Sequence, residues 1–217
     1  MIPKKEIYIF VEGISDKTVL ESLLGPLIIN KRNIHTYIKF NAVEKGDAKH
    51  KLLTEYPKQA VSLLKYKPYA HVIILPDLYP KNKGFPHTTP LELKEGAIKE
   101  FQSKCKDNPN LADRFHVFCL KHDLEMLLLA SKENLRQEVG EDAFDKFCKQ
   151  TSINWENPED QNHDNPPKKI IVSLFDKAGK KYTEVFNAPN ILSQANYTEI
   201  AQKCPEFNLF VDFLENS

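Results

Sequence analysis

Two apolar runs that each end in a carboxylate restrict this chain's fold more than any other feature. Ile7–Val11 (IYIFV) is continuous, rich in β-branched and aromatic residues, and stops at Glu12-Gly13. The second run, YAHVIILP, stops at Asp77. A strand that is apolar at nearly every position, as both runs are apart from His71, has no face to give to water. Both runs therefore predict strands buried on both sides, as in a parallel sheet covered by helices.

The segments around them follow that scheme. Ser15 reads as an N-cap, and DKTVLESLLGPLI carries Val19, Leu20, Leu23 and Leu24 at helical spacing. IHTYIKFNAV alternates as a second strand. GDAKHKLLTEYPKQAVSLLKY is helical with a break near Pro57, whose ring removes a hydrogen bond and crowds the preceding turn. YPKNKGFPHTTP is a Pro-, Lys- and Thr-rich loop, LELKEGAIKEFQSKCK a helix and RFHVFCL a strand; KHDLEMLLLASKENL is a helix whose start bears acids. Strands alternating with helices predict an α/β domain with a mostly parallel sheet over residues 1–150. Residues 151–217 read as a helical elaboration packed on the same domain. This part has a polar loop (NWENPEDQNHDNPPKK), an apolar IIVSLF that is either a strand or a helix start, and two short helices broken at Pro205. The phenylalanines of CPEFNLFVDFLE fall at helical spacing and read as core.

Several function classes drop out. Lys and Arg balance Asp and Glu at 30 each, which argues against coating nucleic acid through bulk charge but leaves room for a local basic patch. The four cysteines form no C-x-x-C pair, so zinc-ribbon and redox motifs are missing and reduced thiols in a cytoplasmic protein are expected. No apolar run approaches the ~20 residues that span a bilayer, so a soluble protein is expected. Neither G-x-G-x-x-G nor G-x-x-x-x-G-K-[ST] occurs. An Asp77 nucleophile of the haloacid-dehalogenase type would want an acid at 79, where Tyr79 stands, and would leave Glu12 without a role.

In parallel sheets ligands bind beyond the carboxyl ends of the strands. Glu12, Asp77 and the His122–Glu125 cluster each follow an apolar run, so all three are expected at one edge. Grouped acids cost desolvation unless a cation sits among them. A hard divalent ion, Mg²⁺ or Mn²⁺, suits oxygen ligands and metal-assisted attack on a phosphodiester. Gly13 would permit a tight turn and the approach of a phosphate. The plainer readings are an ordinary helix N-terminus for Asp16, a helix cap for Asp123, a solvated patch for Lys168–Lys169, and structural roles for His116 and His122.

At this point the residues resemble a known group. FVEGISD is similar to the first motif of the Toprim domain: an apolar strand, Glu-Gly, and an acid four residues after the Glu. VIILPDLYP is the best match to the second motif, an acid-x-acid at a later strand end, with Tyr79 replacing the second acid. Together with KHDLEMLLLA and KCPEFNLFVDFLE, the order of features over nearly the whole chain resembles OLD-like nucleases. It resembles more closely a small bacterial family of Toprim-related proteins encoded beside AAA- or ABC-type ATPases in suspected anti-phage loci. The resemblance implies a Toprim-like (Rossmann-like) fold and a Mg²⁺- or Mn²⁺-dependent nuclease acting on DNA or RNA as the effector of such an ATPase. It makes Glu12 the catalytic base or first metal ligand, Asp16 and Asp77 metal ligands, and Glu125 a further acid. Lys168 or Lys169 would stabilise charge on the scissile phosphate. With Tyr79 in place of an acid, either one metal suffices, Glu125 substitutes, or catalysis is lost; the last case leaves a non-catalytic regulatory or binding subunit.

Overall fold

The structure, a computed structural model, describes residues 4–43, 46–79, 84–105 and 108–217. Four strands, β1 (Lys5–Val11), β2 (Thr36–Ala42), β3 (Ala70–Leu75) and β4 (Phe115–Val117), form one parallel sheet in the order β2-β1-β3-β4. Val11 is in register with Ala42 on one side and Leu75 on the other. The strands thus finish level, and Glu12 and Asp77 leave the sheet on the same edge. Beyond the ladder, Asp77 still bridges to Leu120, so the β4 segment accompanies β3 to that edge.

Helices cover both faces. Helices α1 (Ile14–Leu23) and α2 (Gly25–Asn33) connect β1 to β2; α3 (Ala48–Thr54) and α4 (Tyr56–Tyr66) connect β2 to β3; α5 (Pro90–Lys104) leads to β4. The order 2-1-3 means that the chain leaves β1 in one direction across the sheet and returns beyond it to β3. The ends of β1 and β3 therefore form the topological switch point, where α/β sheets open a crevice for ligands. The apolar β1 run divides by alternation between two cores. Ile7, Ile9 and Val11 join α1 and α2 on one face, and Tyr8 and Phe10 join α3, α4 and α5 on the other.

The C-terminal helices enlarge the first core. Following α6 (Glu125–Ala130), α7 (Lys132–Val139) and α8 (Glu141–Cys148) come α9 (Pro167–Lys177), α10 (Glu184–Leu192), α11 (Tyr197–Lys203) and α12 (Pro205–Glu215). Their apolar faces share one core with β1 and α1, including Ile171, Phe175, Leu192, Phe207 and Phe210, all buried. Among the described residues no helix is long and apolar enough to cross a membrane.

Local readings divide. The helix break expected near Pro57 falls at Glu55, between α3 and α4. IIVSLF is helical, inside α9. DKTVLESLLGPLI is two helices rather than one, divided at Leu24. The cap of α1 is Gly13 and not Ser15, with the Asp16 carboxylate accepting the Gly13 N–H at 2.7 Å. Only Phe115–Val117 of RFHVFCL is laddered. The loop expected over 79–90 lies partly outside the described residues; its end is the cap of α5, where Thr89 accepts the Glu92 N–H. The polar loop after α8 is anchored. Buried Glu159 accepts the N–H groups of Glu206 and Phe207, the first turn of α12.

Candidate metal centre

Glu12 is the first residue past β1, and Asp77 lies just past β3. Neighbouring parallel strands that end in register bring the two together, and Glu12 Oε1 accepts the backbone N–H of Asp77 at 3.0 Å. The Lys49 ammonium, from the first turn of α3, stands 3.9 Å from the same oxygen on a side chain only 8% exposed. Burial raises the Glu12 pKa, with Lys49 opposing. Asp77 is pushed well above the usual carboxylate range by burial and then by the charges of Glu12 and Asp16. Burial lowers Lys49, against the pull of Glu12 and Asp77.

A second group of charges gathers where α6, α9 and α10 meet. Glu125 opens α6 and is wholly buried. Its Oε1 accepts the Tyr182 hydroxyl at 3.0 Å and lies 3.6 Å from the Lys168 ammonium. Lys168 is also paired with Glu184. Among the described residues, Glu125 Oε2 and Asp123 Oδ1 are buried without a hydrogen-bond partner. Burial, followed by the charge of Asp123, lifts the Glu125 pKa to about 7. For Lys168, burial works downward, but Glu184, Glu125 and Asp123 together outweigh it and raise its pKa.

Asp16 joins the two groups. Burial carries its pKa to about 6, opposed by the Gly13 N–H and raised further by Glu184 and Asp123. It also raises Glu12 and Asp77. The expected ligands Glu12, Asp16 and Asp77 thus share one electrostatic neighbourhood, with Glu125 at its far end beside Lys168. Lys169 is not brought to these acids: its ammonium donates to the Asp164 carbonyl. Tyr79 turns its ring to His163 at 4.3 Å and His122 at 5.7 Å. Gly13 has extended backbone at φ −138°, open to any residue, so the tight turn expected there is not what requires glycine.

Among the described residues, no three Asp, Glu, His or Cys side chains converge closely enough to enclose a metal ion. The donors nonetheless fit magnesium. That ion binds through one or two carboxylates and fills its octahedron with water and phosphate oxygens. The donor set is all oxygen, and Lys49 sets one positive charge against the three acids Glu12, Asp16 and Asp77. Glu12 and Asp77 would hold such an ion at the switch point.

The sequence from residue 11 to 215 matches the family described as Domain of unknown function (DUF4276). The chain belongs to that family. Its fold is similar to the C-terminal region of the Burkholderia pseudomallei OLD protein, with a TM-score of 0.49 and 11% identity over 97% of each chain. The same region of the Xanthomonas campestris pv. campestris OLD protein gives a TM-score of 0.44 and 12% identity, over 99% of this chain and 98% of that one. At such identities the likeness concerns the path of the backbone. No curated protein matches the sequence.

Lys49, Tyr182 and Glu184 carry no sequence signal of their own, and Asp123 reads only as a helix cap. The first three reach the acids through the seating of α3, α9 and α10, which no local pattern discloses.

Proposed function

We propose that the protein is a Mg²⁺- or Mn²⁺-dependent phosphodiesterase acting on nucleic acid in the cytoplasm, as the effector of an AAA- or ABC-type ATPase in defence against phage. The observation that carries this reading is the Glu12–Asp77 pair at the switch point, with Asp16 beside it and burial raising all three pKa values. Acids held this way without an equal number of cations are unfavourable until a divalent ion arrives.

A bound ion supplies Lewis-acid polarisation of a phosphoryl oxygen and a more acidic water. The chain's own residues do the rest. Asp77, through its N–H, fixes the direction of the Glu12 carboxylate. In this reading Glu12 holds the ion or takes a proton from the attacking water. Asp16 keeps the first turn of α1 closed while adding negative charge. Lys168 brings a positive charge to the far group of acids, and there it offsets charge growing on phosphate oxygens. Net neutrality fits an enzyme that borrows part of its substrate affinity from a partner.

The test titrates Mn²⁺ into wild type and Glu12→Gln, followed by heat and by thermal shift, and then assays plasmid DNA, single-stranded DNA and tRNA for cleavage. Saturable binding lost in the variant, with cation-dependent cleavage, is the expected result. Absence of both binding and cleavage sinks the reading.

One observation favours a second reading. Tyr79 occupies the place of the second acid, its ring is committed to His163 and His122, and among the described residues no three acids converge on one point. A non-catalytic subunit with a reduced site would bind its ATPase equally well with Glu12→Gln.

A further inference from the structure

Lys49 is placed against two of the usual preferences of lysine. Its side chain is 8% exposed, although lysine is almost never buried unless paired. It also sits in the first turn of α3, the end of a helix whose dipole disfavours a cation. The edge of the sheet where Glu12 and Asp77 emerge offsets part of both costs, since both acids favour the charged ammonium. The 3.9 Å separation from Glu12 Oε1 is that of an ion pair and not of a short hydrogen bond, while that same oxygen takes its hydrogen bond from Asp77 N–H. An ammonium at this distance neutralises the carboxylate without fixing it.

We propose that Lys49 is the resident counter-cation of the strand-end carboxylates: its ammonium holds the charge position beside Glu12 in the metal-free protein and competes with a divalent ion for it. The inference rests on the cation-binding reading above and adds a control to it. A site that carries its own positive charge takes up a metal ion less readily than its acids alone would. Loading is then favoured when a phosphate-bearing ligand arrives with the ion and gives the displaced ammonium a new anion. Lys168 stands at the other end of the site, where its ammonium is engaged by Glu184 and Glu125.

The experiment compares Mn²⁺ titrations of wild type, Lys49→Met and Lys49→Arg, with melting curves in EDTA and in Mn²⁺. Methionine keeps the length and removes the charge; arginine keeps the charge. Removing one unit charge about 4 Å from the carboxylate is enough for roughly tenfold tighter Mn²⁺ binding in Lys49→Met, or about 1.4 kcal/mol. A larger Mn²⁺-dependent rise in Tm accompanies it, and Lys49→Arg binds as wild type does. Should Lys49→Met fail to fold, Lys49→Gln replaces it with the same expectation. Binding by the neutral variant but not by wild type also supports the proposal, as the extreme case of competition. Wild-type binding that the neutral variants match or fall below overturns the Lys49 assignment alone. Binding by none of the proteins overturns it together with the phosphodiesterase reading.

Discussion

Replacing Glu125 with glutamine should stabilise the metal-free protein at alkaline pH, and the size of the effect follows from the geometry. The carboxyl is wholly buried, with Oε2 unpartnered among the described residues, and its pKa is lifted to about 7 by burial and then by Asp123. An unfolded glutamate titrates near 4.3. Below about pH 4 both states are protonated and the group contributes no penalty. As pH rises from about 4 to 7 the unfolded chain gives up the proton while the folded one keeps it, so folding becomes less favourable. Above pH 7 the whole difference applies, on the order of 3 kcal/mol at 1.36 kcal/mol per pH unit. Glutamine carries no charge, and its amide oxygen can still accept the Tyr182 hydroxyl. One kcal/mol moves the Tm of a chain this size by about 2–4 °C. Melting curves in EDTA should therefore place E125Q about 6–12 °C above wild type at pH 8, with the gap closing toward pH 4. A wild type as stable as the variant at pH 8, or a gap independent of pH, refutes the assignment of an unfavourable buried carboxylate.

Three further outcomes are expected. Lys168→Ala, which removes the ammonium facing Glu125 and Glu184, should raise the Glu125 pKa further in a carboxyl NMR titration, while Lys169→Ala should leave it unmoved. Gly13→Ala should keep wild-type stability within about 0.5 kcal/mol by thermal melting. Its backbone is extended, and a Cβ would meet Asp16 Oδ2 at an ordinary 3.5 Å. Glu159→Ala should cost about 2 kcal/mol and lower the Tm by about 4–8 °C, because two N–H groups that open α12 lose their acceptor.

The architecture was legible wherever the signal was local. A run apolar at both parities announces a strand covered on both faces, and an acid directly after it must emerge at the strand end. Glu12 and Asp77 were therefore readable as partners once a parallel sheet was inferred. Helix breaks at Pro57 and Pro205 were readable for the same reason, since a missing N–H acts within one turn. What was not legible depends on register between distant elements. Lys168 and Lys169 are neighbours in sequence but about 100° apart around α9, and only the docking of that helix decides which meets Glu125. Lys49 sits in the segment AKHK, where a lysine reads as part of a solvated helix surface, and only the seat of α3 over the strand ends turns it inward. Gly13 reads in the sequence as a turn device, whereas the backbone there makes no use of glycine's freedom.

The packing of α10 on α1 has a mechanical consequence. Asp16 rides on the first turn of α1 and Glu184 on the first turn of α10, while Lys168, on α9, answers to both. Sliding one of these helices against another changes the spacing between like charges and the ammonium that separates them. The proton affinities of Asp16 and Glu125 therefore measure how the C-terminal helices are seated. Docking of the helices and charge balance at the site are therefore coupled, because the same three helices carry the acids and the ammonium between them.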